Sequence, residues 1–147
     1  GMNRMEHGTG AALLSRHILE RLGMPPDEYA EVMVAIGNHE EEYGEPVSPL
    51  AAAVILGDKG DVHRGRVRVI DPDTDDIHDR VNMATTRSAI KVDSEERAIT
   101  LELEIDTDII QVMQYFEIFL DRMVMCRRAA ESLGCRFGIV INGTRMA

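Results

Sequence analysis

Residues 89–105 read AIKVDSEERAITLELEI. Ile99, Leu101, Leu103 and Ile105 alternate with Thr100, Glu102 and Glu104, a period of two that gives a strand one buried face and one wet face. AIKVD (89–93) is a shorter strand ahead of the turn SEE, so a β-hairpin is expected with its second strand over 97–105. Downstream the period changes. Asp106 or Thr107 is placed to cap a long helix ending at Leu133–Gly134, and CRFGIVIN (135–142) closes as a strand. The last third of the chain thus reads as β-β-α-β, a small sheet with a long helix laid over it.

Upstream the period is 3.6. Residues 9–22 put Ala11, Leu14, Ile18 and Leu22 on one stripe, with Gly23 as the stop. A second helix runs from about Pro26 to His39 on Tyr29, Val32, Met33 and Ile36, and His39 continues that stripe toward the core. After the loop EEEYGEPV, Ser48 is an N-cap with Pro49 at the first helical position, and the helix PLAAAVILGD is apolar all round, hence central. The expected class is α+β. A helical unit spans 1–70, an acidic connection with a short helix over 77–88 occupies 71–88, and the β-β-α-β unit spans 89–147.

The 147 residues suit one domain, or one with a small appendage, and 44% apolar with 29% charged is a globular mixture. The longest apolar run, Leu50 to Leu56, is far short of the roughly 20 residues a membrane helix needs. With no signal-peptide pattern at the start, a cytoplasmic location and no membrane partner are expected. Gly1 before Met2 reads as a cloning scar. A net charge of −10 and 4% aromatics without Trp argue against nucleic acid as a partner. Lys59, Arg64, Arg66 and Arg68 nevertheless fall within ten positions, either as a local site for a small anion or as scattered solvated charges. Cys126 and Cys135 are too few for a disulfide framework and read as buried thiols.

Three residues carry the chemistry. Asp58 ends an apolar helix, where a carboxylate needs either a basic partner such as Lys59 or a bound cation. His39 is either a hydrogen-bonded core residue or a ligand. His7 stands before a Gly-Thr-Gly helix entrance. Each lies at the end of a different helix, and two imidazoles with one carboxylate make a reasonable shell for a divalent transition metal. Asp71-x-Asp73-x-Asp75 begins like a calcium loop but has Asp76 and Asn82 at the positions that require Gly and Glu. Asn142-Gly-Thr is a glycosylation sequon without a secretory route, and no phosphate-cradling Gly loop is present.

The runs EHGTGA, AIGNHEEEYGEP and AVILGDKGDVHR resemble the latter part of an HD-domain metal-dependent phosphohydrolase, over about residues 4–68. His7, His39 and Asp58 match, in order, a His opening a helix, a later His before a Gly/Pro loop, and the Asp of an "ALAD" helix, here with Gly57 in place of Ala. The C-terminal segment resembles an extension found in a bacterial subgroup of HD proteins. The resemblance implies His7, His39 and Asp58 as metal ligands for Mn, Fe, Zn, Ni or Mg. It implies Asp58 and Lys59 as catalytic residues, and Lys59, Arg64 and Arg66 as neutralising the phosphate of a small, nucleotide-like phosphoester. The family's first His and its His-Asp pair belong upstream of His7, where six residues stand; His78-Asp79 follows the last Asp and reads as an ordinary helix start. The divalent metal is therefore expected to be weakly held or absent, and the activity impaired. The alternative is a non-catalytic, HD-derived dimeric ligand-binding or regulatory module. A homodimer or higher oligomer is expected through an open face of residues 50–56 and through the seam Val112, Phe116, Phe119, Met123, Cys126, Ala130 and Leu133, which otherwise packs on its own sheet.

Overall fold

A computed structural model describes residues 6–67 and 76–146. Among these, helices α1 (His7–Arg21), α2 (Pro26–Gly37) and α3 (Pro49–Gly60) lead to a short 3-10 turn, Arg64–Arg66. Then come α4 (Ile77–Ala84), strands β1 (Thr85–Asp93) and β2 (Ala98–Ile105), helix α5 (Val112–Ser132), and strands β3 (Arg136–Ile141) and β4 (Thr144–Arg145). The fold is α+β, as the change of period indicates. No helix among the described residues is long and apolar enough to cross a membrane. The acidic stretch with Arg68, Asp71, Asp73 and Asp75 lies outside the described residues.

The sheet order is β1-β2-β3-β4. β1 runs antiparallel to β2, whereas β2 and β3 run parallel, because α5 carries the chain back over the sheet between them. Ile99, Leu101, Leu103 and Ile105 are all buried on the face α5 covers, as their alternation requires. Asn142 locks the join. Its amide donates to the Ile105 carbonyl at 2.9 Å and accepts from the Ile105 N–H at 2.8 Å, while Asn142 and Gly143, both at positive φ, turn the chain into β4. The sequon is therefore a hairpin turn.

One core runs from the sheet through α5 to α3, joining Leu101, Leu103 and Ile141 to Phe119, Cys126 and Ala130 and on to Ile55 and Leu56. α3 packs on α5, α2 on α3, and α1 on α2. α5 thus covers Ala52, Ile55 and Leu56; of the large apolar residues in 50–56, Leu50 alone is exposed. The α5 seam likewise turns inward on its own core, with Phe119, Met123, Cys126 and Ala130 buried.

Three expectations change, and one element is new. The α1 stripe points outward: Leu14, Ile18 and Leu22 are 56%, 59% and 76% exposed, while Gly8 and Ala12 are buried. Small residues let α1 approach α2 closely, with Ala12 against Gly37, and this contact outranks the larger side chains. α5 starts at Val112 and not at Asp106: Asp106 accepts from the Asp108 N–H in a local turn, and Gln114 accepts from the Gln111 N–H at the true helix entrance. β1 begins at Thr85, so the short helix stops at Ala84. The two-residue β4 has no counterpart in the periodicity.

Candidate metal and charge cluster

His7 opens α1, His39 lies two residues beyond α2, and Asp58 and Lys59 occupy the last turn of α3. The tight turn after α2 aims His39. Gly44 closes it by donating to the Glu40 carbonyl, and a Cβ at Gly44 would lie 2.2 Å from the Asn38 carbonyl oxygen and 2.5 Å from that of Glu40. Only glycine fits there. α3 is set by its N-cap, since Ser48 Oγ accepts from the Ala51 N–H at 3.1 Å.

The Nε2 atoms of His7 and His39 face each other 3.0 Å apart. Their other ring nitrogens are occupied. His39 Nδ1 meets the Ile36 carbonyl, and His7 Nδ1 lies 3.2 Å from Glu40 Oε1, which also accepts from the Gly8 N–H. A carbonyl can only accept, so His39 Nδ1 carries the proton and its Nε2 presents a lone pair toward His7. The two Nε2 atoms are directed at one point, where either a proton of His7 or a cation can lie.

Beside the imidazoles runs a chain of alternating charge. Lys59 Nζ lies 2.8 Å from Asp58 Oδ2 and 3.1 Å from Glu41 Oε1, and the same Glu41 oxygen takes Arg122 Nε at 2.9 Å. The Arg122 guanidinium lies 4.3 Å over the Phe119 ring. Burial pushes the Asp58 carboxyl up, but the hydrogen bond and charge of Lys59, with His39 and Arg122 beyond, outweigh it and hold Asp58 below its ordinary value. Glu41 is also lowered: burial raises it, and Lys59 with Arg122 overcome that. Cys126, buried below, is pushed up to about 12, chiefly by desolvation, so it is an inert thiol.

The structure brings His7 to His39 and sets Asp58 against Lys59. Lys59 is 3% exposed and bound to two carboxylates, so its ammonium is committed within the chain rather than offered to a phosphate. Arg66 turns back to Asp61, donating to its carbonyl at 2.9 Å and its carboxylate at 3.0 Å. Arg64 lines a separate cavity with His63, Gly65, Met83, Asp106 and Ile109. Among the described residues, no group of three or more His, Cys, Asp or Glu side chains is already gathered as a metal site. Sequence reasoning missed Glu40, Glu41 and Arg122. The acidic run after His39 was a usable signal for the first two; Arg122 had none. Comparison with protein-family models, with curated proteins and with solved structures found no match to this chain.

Proposed function

We propose that the chain is a metal-dependent phosphohydrolase of the HD superfamily acting on a small, nucleotide-like phosphoester. His7 and His39 would hold the metal through Nε2, with Asp58 as the carboxylate ligand. The observation that carries this reading is the facing Nε2 pair, each ring anchored at Nδ1 by an acceptor, as metal-bound histidines characteristically are. A divalent ion there supplies Lewis acidity and an activated water. The chain's own share is to fix both rings through Ile36 and Glu40 and to keep Asp58 ionised beside Lys59.

A second reading is a non-catalytic ligand-binding or regulatory module, which the saturation of Lys59 and Arg122 by Asp58 and Glu41 favours. Calorimetric titration of chelator-stripped protein with Mn²⁺, Ni²⁺ and Zn²⁺, followed by hydrolysis of bis(p-nitrophenyl) phosphate, separates the two. Stoichiometric binding lost in His39→Ala, with metal-dependent turnover, supports the enzyme; binding without turnover supports the module. No binding by the wild type removes the metal reading. We further propose a homodimer or higher oligomer, formed through the exposed α1 face of Leu14, Ile18 and Leu22.

A further inference from the structure

α1 runs from His7 to Arg21 and packs on α2, with Gly8 and Ala12 buried. A helix returns to the same side every seven residues, and the position four residues on lies close beside it. His7, Leu14 and Arg21 stand at seven-residue steps, and Ala11 and Ile18 each lie four residues after the first two. These five side chains therefore share one face, about a third of a turn away from Gly8 and Ala12. The face begins at the imidazole that meets His39, continues through the exposed Leu14 and Ile18, and ends at the exposed Arg21. Leu22, at the helix C-cap, widens its apolar part.

Charge is sorted along this face. At the His7 end, Glu40 lies 3.2 Å from His7 Nδ1, and Glu6 occupies the N-cap position. The Tyr43 phenol is pushed up chiefly by Glu42, with Glu40 and Glu6 adding to it, so three carboxylates gather around that end. At the other end, Arg21 is the basic residue of the last turn. A face that is acidic at one end, apolar in the middle and basic at the other is complementary to itself when reversed. Parallel pairing would set acid on acid and Arg21 on Arg21. Antiparallel pairing also brings the N-terminal end of each helix dipole to the C-terminal end of the other.

We propose that two copies of this chain pair along α1, antiparallel about a two-fold axis near Leu14, so that Arg21 of each stands at the His7 end of the other. The pairing rests on the self-association already proposed, and it specifies what the second copy brings. The partner's Arg21 places a guanidinium at the rim of the His7–His39 site, where Lys59 is held by Asp58 and Glu41 and Arg66 is held by Asp61. Each site is then completed across the interface by a cation from the other chain.

The test is cross-linking of the full chain by a short bis-maleimide in EDTA, with sedimentation equilibrium on the same samples, so that failure of the metal reading cannot produce the result. The background is Cys135→Ser, since Cys126 is buried. His7→Cys and Arg21→Cys chains are treated separately and after mixing. The mixture should form covalent dimer at least about tenfold faster than either chain alone, because unlike positions are level while like positions lie about 21 Å apart along the helices. If His7→Cys does not fold, Ala11→Cys, one turn along the same face, takes its place. Arg21→Glu, which sets a carboxylate against Glu6 and Glu40, should raise the dissociation constant of the dimer about tenfold or more. A dimer that cross-links in the separate samples, a dimer that cross-links in none, or an unchanged dissociation constant in Arg21→Glu overturns the antiparallel pairing and leaves self-association standing. A wild-type monomer overturns both.

Discussion

The carboxylate of Glu41 lies 3.1 Å from the ammonium of Lys59, which joins the loop after α2 to the end of α3. The same oxygen holds Arg122 of α5, so three segments distant in sequence meet at one carboxylate. Among the described residues, Glu41→Ala leaves the buried Lys59 with Asp58 alone and Arg122 without an acid. We expect a loss of about 1–3 kcal/mol, read from urea denaturation. Lys59→Met should cost less. Both carboxylates keep partial access to water, and an apolar side chain of similar length fills the slot. A larger loss in Lys59→Met than in Glu41→Ala would contradict this account.

The same cluster sets an acid limit. Asp58 and Glu41 both titrate below their ordinary values of 3.8 and 4.5 in the folded chain. A carboxyl with a depressed folded pKa contributes stability that is fully present above its unfolded pKa and is lost as pH falls through the folded one. Stability from this source should therefore be flat from neutral pH to about 5 and decline below about 4. Asp58→Asn combined with Glu41→Gln should flatten that decline in urea midpoints measured from pH 7 to pH 3.

Much of this fold is legible in the chain. The alternation at Ile99–Ile105 gives the central strand, Ser48-Pro49 gives the start of α3, and Gly134, at positive φ, gives the end of α5. What the pattern leaves open is which side of a helix meets a neighbour. α1 shows why: Leu14 and Ile18 make the stronger stripe, yet Gly8 and Ala12 allow the closer approach. His39 was legible as a residue directed inward from α2. Its pairing with His7 depends on the turn closed at Gly44, a through-space fact that no periodicity records.

That turn supplies the next expectation. A methyl group at Gly44 would press on the carbonyl oxygens of Asn38 and Glu40, which are backbone and cannot swing aside. Gly44→Ala should cost about 1–3 kcal/mol, as overpacking generally does. It should also weaken metal binding, because the displaced segment carries His39 and Glu40. A stability loss with metal affinity unchanged would show that the turn does not position the imidazoles.

Asp58→Ala separates pairing from ligation. If Asp58 serves only Lys59, the substitution lowers stability equally in metal-free and metal-loaded protein. If it binds the ion, the loss is greater in the loaded state, because a ligand stabilises in proportion to its affinity for the folded chain. We expect the second result in thermal melts with and without Ni²⁺, and equal losses would remove Asp58 from the ligand set.

The outward face of α1 bears on assembly. Leu13, Leu14, Ile18 and Leu22 are each more than half exposed, and α1 packs on α2. Covering a large apolar side chain is worth on the order of 1.5–3 kcal/mol, so three of them on α1 and a fourth at its C-cap favour association. A two-fold pairing lets one patch cover its own copy, and a stable interface needs roughly 1,000 Å² or more in total. Sedimentation equilibrium at micromolar concentration should give a mass above the 16.4 kDa of one chain. Leu14→Lys combined with Ile18→Lys should return it to 16.4 kDa with little change in the denaturation midpoint of the separated chain, since neither side chain enters the core. A wild-type chain that sediments as a monomer would show that the α1 face does not drive self-association.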